Sequence, residues 1–242
     1  YDMIDHMITN YDKFVFLRKE FISIRDIEHL YRKIIFNKIT PYDFYQFVEN
    51  LHSILQIHEN LKNDSVVQTY IQKNIGEDIE ITCRKLINVL ERNLNKEICM
   101  TLVNNKFEEN FINKNVNSVL DQASDEFDEA ELLKNKWVTT LSSLLWKVKD
   151  RNSKNAIKVH FTDKSGMYFY ATTARCKGIS ENLTKNYKDK NYIVNGLDFS
   201  SLKHSSGGIG NNHKLGGSGL KKFYNNYAQK LDNMKELLTN VY

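Results

Sequence analysis

The chain has 242 residues, 41% hydrophobic and 26% charged, with a net charge of +4. That length and apolar content suffice for a buried core in one large or two smaller domains, and they exclude a disordered tail. No stretch approaches 18 apolar residues, and the opening Tyr1-Asp-Met-Ile-Asp-His lacks a basic start and an apolar centre, so neither a membrane span nor a signal peptide is expected. The expectation is a soluble, intracellular protein of unspecified compartment. Cys83, Cys99 and Cys176 are an odd, widely spaced set with no C-x-x-C pair, which predicts reduced thiols rather than a disulfide framework or a zinc site.

The charge is divided. From Arg151 to Tyr242 there are 15 Lys/Arg against 6 Asp/Glu, a balance of +9, which leaves −5 for residues 1–150. Clustered cations of this kind are the footprint of a phosphate-binding surface or of a solvated basic face.

In chain order, Ile24, Ile27, Leu30, Tyr31, Ile34 and Ile35 recur at helical spacing, with Ser23 and Asp26 placed as a capping pair. Thr40 predicts a cap, Pro41 suits the first helical position, and Asp43 sits in the positive first turn of a helix whose apolar face runs Phe44, Phe47, Val48, Leu51, Ile54, Leu55. Helices are expected over 64–75 and 78–96, with Gly76 as the stop between them. Residues 105–123 are Asn-rich and aperiodic, and predict a loop with a short extended piece. Ser124 then reads as the cap of a helix that carries Leu133, Trp137, Leu141, Leu144, Leu145 and Val148 along one side; at ~1.5 Å per residue, about 25 residues make an arm of roughly 37 Å.

The period then changes. Ile157, Val159 and Phe161 alternate with Lys158 and His160, and Met167, Phe169 and Ala171 alternate with Tyr168, Tyr170 and Thr172, around a polar turn ending at Gly166: a β-hairpin pattern. Residues 175–200 predict a loop and 199–204 a weaker strand. Within the glycine-rich stretch from Ser205 to Gly217, Gly207-Gly-Ile-Gly-Asn-Asn212 reads as a flexible turn, and Ser218 as the cap of a final helix with Leu220, Phe223, Tyr224, Tyr227, Leu231, Met234, Leu237, Leu238 and Val241 at helical spacing. Nine of the ten glycines lie between Gly166 and Gly219. The fold expected is mainly α: a helical core/lever part over 1–123, an outgoing lever helix over 124–154, a small antiparallel β clamp over 155–217 inserted at the tip, and a returning lever helix from 218. The two lever stripes can bury each other as an antiparallel pair. A chain that opens inside a helix without Met and ends without a stop signal is expected to be a piece of a longer protein.

In this order, several segments resemble the MutS family of DNA mismatch-repair proteins, in its core, lever and clamp region. Ile24-Arg-Asp-Ile-Glu-His-Leu-Tyr-Arg-Lys-Ile34 with Ile39-Thr-Pro-Tyr-Asp43 is similar to a core segment, Asp125-Glu-Phe-Asp-Glu129 to the acidic start of the outgoing lever, Ile157–Phe161 with Gly166–Tyr170 to the clamp hairpin, and Ser201-Leu-Lys-His204 to a later clamp segment. His29 stands where the family usually has Arg, and the glycine-rich Ser205–Gly217 replaces a non-glycine segment. The resemblance implies a divergent branch, such as those of giant viruses or octocoral mitochondria. It also implies a lever and clamp that hold double-stranded DNA without reading sequence, a second MutS-like subunit, and an ATP- and magnesium-using motor elsewhere in the parent protein.

The chemistry of catalysis is not in this sequence. No G-x-x-x-x-G-K-[ST] phosphate loop occurs. Phe107-Glu-Glu109 and Phe127-Asp-Glu129 match the family's mismatch-reading F-x-E by letters alone. The carboxylates Asp26, Glu28, Glu126, Asp128 and Glu129 sit where helix caps and solvated faces are expected. His160, His204 and His213 invite a metal, but no further ligands stand at suitable spacing, so neither a metal nor a cofactor is expected. The expected DNA contacts are Lys203, His204, Ser205, Ser206, Asn211, Asn212, His213 and Lys214, which combine cations, small hydroxyls and amides with glycines that permit close approach. Lys164, Lys185, Lys188 and Lys190 form a second rank, and Lys221 and Lys222 sit where the last helix meets the tip. The competing reading is a coiled-coil arm with a hinge-like tip that joins protein partners and binds no DNA; a nuclease or other enzyme is disfavoured by the missing carboxylate or metal cluster.

Overall fold

The computed structural model describes residues 2–76, 78–103, 107, 109–145, 156–162 and 166–241. They form two compact units, 1–116 and 117–242. Among the described residues no helix is long and apolar enough to cross a membrane.

The first unit is helical: α1 (Asp2–Thr9), α2 (Tyr11–Phe14), α3 (Phe16–Ser23), α4 (Ile27–Ile35), α5 (Pro41–Leu61), α6 (Ser65–Asn74), α7 (Ile79–Asn93) and α8 (Lys96–Thr101). Helix starts follow the caps. The Asp26 carboxylate accepts from the His29 N–H, and Thr40 and Asp43 form a reciprocal capping box ahead of Pro41. Ser23 takes no part in the first of these; its hydroxyl bonds the Glu20 carbonyl at the end of α3. The stripe expected to be core on α4 buries Leu30 and leaves Tyr31, Ile34 and Ile35 exposed, because periodicity defines a face without defining its partner. Among the described residues, apolar clusters form around Phe14, Leu17, Leu61 and Val67 and around Leu51, Cys83 and Ile87.

Asp64 fastens the first cluster. It caps α6 through the Val66 and Val67 N–H groups and accepts from Lys13 Nζ at 2.8 Å and His6 Nε2 at 3.0 Å, while only 3% of its side chain is exposed. The hydrogen bonds from Lys13 and His6 hold its carboxyl well below the usual carboxylate range.

The second unit begins at Asn117, whose side chain caps α9 (Ser118–Ser143). The helix therefore starts a turn and a half before Ser124, and residues 118–123, expected as loop, are helical. The Asn-rich composition concealed Leu120 and Ala123, which are buried. Val148 and the remainder of the expected outgoing helix beyond 145 lie outside the described residues. Two strands follow, β1 (Lys158–Thr162) and β2 (Gly166–Thr172), paired antiparallel as the alternation predicts. Residues 175–186, expected as loop, form most of α10 (Thr173–Asn186), which is capped by the Thr172 hydroxyl and has Cys176, Ile179 and Leu183 buried. The polar residues between those three made the helical face too sparse to recognise. A 3₁₀ turn (Lys188–Lys190) leads to the short hairpin β3 (Ile193–Val194) and β4 (Leu197–Asp198). Then come β5 (Lys203–Ser206), β6 (Asn212–Gly216) and α11 (Ser218–Val241). The four-stranded sheet has the order β1-β2-β6-β5, all antiparallel.

α9 and α11 pack antiparallel. Phe127 meets Tyr227, the Tyr227 hydroxyl donates to Glu131, and Trp137 meets Phe223. The same α11 residues seat the sheet: Phe169 of β2 stacks on Phe223 with centroids 5.8 Å apart, and Phe161 of β1 meets Tyr227. Tyr224 enters the sheet itself. Its hydroxyl accepts from the Phe169 N–H at 3.0 Å and donates to the Leu215 carbonyl at 3.2 Å, bridging β2 and β6 at a register pair. Burial pushes its phenol far above the ordinary tyrosine value, so it stays a neutral donor and acceptor.

Two stability outcomes follow. Tyr224→Phe leaves a buried N–H and a carbonyl without their bridge, at a cost of about 1–3 kcal/mol, read as a lowered Tm with little change in helical circular dichroism. Asp64→Ala removes a cap and the acceptor of Lys13 and His6, at about 1–3 kcal/mol. Because the folded carboxyl is depressed, the wild-type contribution is complete above the unfolded value of ~3.9 and is lost as pH falls through the lower folded value. Acid melts of the wild type and the variant should therefore converge at low pH.

Candidate nucleic-acid interface

The sheet has two unlike faces. Register places Val159, Phe161, Met167, Phe169, Ala171, His213, Leu215, His204 and Ser206 on the face turned toward α11. The other face collects Lys158 and His160 from β1, Tyr168 and Tyr170 from β2, Lys214 from β6, and Lys203 and Ser205 from β5. Lys158, Lys203 and Ser205 are exposed there. Tyr168 lies under Lys214, with Nζ 3.9 Å from the ring centroid, and against His160 at 4.7 Å. Tyr168 and Tyr170 are each 9% exposed and contact each other at 6.1 Å, and Tyr168 serves as a floor for Lys214. Offered as stackers for bases, they have little free ring surface.

The Gly207–Asn212 cluster, expected as a flexible turn, joins β5 to β6 in a hairpin, and β6, which takes up most of the remaining glycine-rich stretch, is an inner strand of the sheet. The glycines are there for backbone geometry. Gly207 and Gly210 have φ of +105° and +63°, and a Cβ on Gly208 would lie 2.6 Å from the Asn212 carbonyl oxygen, which accepts from the Gly208 N–H at 3.0 Å. The Asn212 side chain donates to the Ile209 carbonyl at 2.7 Å and fixes the apex. Asn212 is thereby a turn residue, and Asn211 beside it is exposed. At the base, Gly217 (φ +142°) lies where a Cβ would come 2.6 Å from the Ser201 carbonyl. Ser218 is the first residue of α11, not its preceding cap, and its hydroxyl pairs with that of Ser201 at 2.7 Å.

Of the expected contacts, Lys203, Ser205 and Lys214 come together on the open face. His204 and His213 turn to the opposite face, where their Nδ1 atoms are 2.8 Å apart, and Ser206 stands opposite His213 in register. Desolvation, then His213 and Lys177, lowers the His204 proton affinity. Lys185 ends α10, and Lys188 and Lys190 lie in the 3₁₀ turn, all three exposed, with Lys190 Nζ 5.7 Å from the Tyr187 ring centroid. They belong to a different segment from the hairpin. Lys221 and Lys222 are exposed on the first turn of α11. Lys164 lies outside the described residues. Lys158 was not among the expected contacts, although its alternation with Ile157 and Val159 was a legible signal of the face it occupies. Among the described residues no group of three or more His, Cys, Asp or Glu could hold a metal ion. All three cysteines are free and buried, and burial pushes the Cys99 and Cys176 thiols up to about 11.

No family model matches the chain. It is 23% identical over 192 residues to a mutS homolog of Acanthamoeba polyphaga mimivirus, named as a DNA mismatch repair protein. The matched region is 76% of this chain and 16% of that relative, so the chain spans a small part of the relative's length. At this identity the likeness suggests a MutS-like relation and no more.

The hairpin geometry gives a direct test. Gly208→Ala should force the apex open, seen as faster amide exchange across 205–214 and a lower Tm, whereas substitution at exposed Asn211 should leave both unchanged.

Proposed function

We propose that this chain is the lever and clamp part of a MutS-like mismatch-repair protein, and that the open face of its sheet holds duplex DNA through the phosphate backbone. The observation that carries the reading is the convergence of Lys158, Lys203 and Lys214 from three strands onto one face, in a chain whose one-sided basic charge lies in the same unit. Such cations, with the Ser205 hydroxyl, position a protein on DNA without reading bases. The likeness to the mimivirus protein supports the same assignment. ATP hydrolysis, magnesium, mismatch reading and a second subunit would belong to the rest of the assembly, and this chain has no catalytic role of its own.

Three neutralised phosphates give a slope of log K against log salt of about −2.7, so raising salt from ~50 to ~200 mM weakens binding about 40-fold. Fluorescence anisotropy with two duplexes of unrelated sequence should show this slope and near-equal affinities. The double substitution Lys203→Glu and Lys214→Glu should abolish the binding and leave the oligomeric state unchanged. A flat salt dependence, or altered oligomerisation with DNA binding intact, would favour the protein-joining arm.

A further inference from the structure

The pairing of His204 with His213 is not used by the proposed DNA contacts, since both rings lie on the face opposite Lys203 and Lys214. They come from neighbouring antiparallel strands, in diagonal register, and their Nδ1 atoms converge to 2.8 Å with ring centroids 5.1 Å apart. At that separation the two nitrogens share one proton. One ring is the donor and the other the acceptor, so the two Nδ1 atoms face each other across a single hydrogen bond.

We propose that His204 and His213 form a two-imidazole seat for a divalent transition ion of tetragonal preference, copper(II) above nickel(II). Imidazole nitrogen suits these ions, and affinity at a given nitrogen site rises from nickel(II) to copper(II). The spacing discriminates between geometries. Two adjacent ligands at 90° with bonds of ~2.0 Å are about 2.8 Å apart, the separation the two nitrogens already have, and each ring turns by roughly 45° from the hydrogen-bonded line to aim its lone pair at the ion. Tetrahedral zinc with bonds of 2.0–2.1 Å needs about 3.3 Å, so the rings would have to part by roughly 0.5 Å.

Proton balance is simple. For two neutral rings, the Nδ1 proton of the donor ring transfers through solvent to its own Nε2, freeing both Nδ1 lone pairs with no net release. A ring that starts as imidazolium loses one proton to solvent. The ion sheds two water ligands, and water keeps the remaining positions. Both histidines are only partly buried, so the site is open to exchange, and Ser206 stands opposite His213 on the same face. Lys177 is the charge that opposes the ion, as it opposes a proton on His204. A bound ion would tie β5 to β6 by a second link besides the ladder and add positive charge to the hairpin.

The 242-residue chain, free of any affinity tag, is titrated with copper(II) chloride, with electron paramagnetic resonance and calorimetry as readouts. The expected result is one ion per chain with two equatorial imidazole nitrogens, a raised Tm in its presence, and nickel(II) weaker in the same site. His204→Ala and His213→Ala should each weaken binding by tenfold or more, with the double variant no weaker than either single, while His29→Ala leaves binding unchanged. Circular dichroism of the ion-free variants checks that they fold. Hyperfine structure from a single nitrogen, wild-type affinity in either single variant, tighter zinc than copper(II) binding, or no binding at millimolar ion would overturn the proposal.

Discussion

The second unit is organised by one column of aromatic rings on α11. Phe223, Tyr224 and Tyr227 are shared by three partners: Trp137 and Phe127 of α9, Phe169 of β2, and Phe161 of β1. A helix pair alone would bury one stripe, and a four-stranded sheet alone would leave one apolar face in water. Sharing a single column covers the helix stripe and the middle of the sheet with one set of residues, while Val159 and Phe161 of the edge strand stay exposed. The Tyr224 hydroxyl makes the joint specific as well as apolar, because it substitutes for a ladder hydrogen bond that only one registration of helix on sheet can supply.

That joint decides which face of the sheet remains open. With Phe169 and Leu215 turned to α11, the alternation of β-strands leaves Lys158, Lys203 and Lys214 together on the other side. A slip of one residue between β2 and β6 would send Lys214 into the apolar face. Tyr168 beneath Lys214 gives that cation an apolar floor, a setting in which a lysine stem is held and its head remains available to an anion.

The glycines have a different role from mobility. At Gly207, Gly208 and Gly210 they permit a tight apex, and at Gly217 they let two backbones meet at the base of α11. A glycine-rich segment between polar residues reads as a loop because composition records conformational permission and not the pairing that uses it. The inner position of β6 depends on β2 and β5, which are distant in sequence. Likewise α10 was hidden by its many polar residues, while Cys176 and Asn182 on its buried side reach the distant carbonyls of His213 and Leu144, which no local window includes.

Local signals were reliable where the physics is local. The capping box at Thr40 and Asp43, the Asp26 cap, the alternation of β1 and β2, and the long apolar periods of α9 and α11 are all consequences of neighbours within a few residues, and all were legible. Of the candidate site, the residue types and the hairpin lysines were legible as well. What only the tertiary structure decided was grouping: that Lys158 joins Lys203 and Lys214, that His204 and His213 leave that face to meet each other, and that Tyr224 closes the ladder between β2 and β6. Those outcomes depend on strand order and register, which are set by burial of a shared apolar face across long sequence separations, and a one-dimensional period carries no record of which partner will cover it.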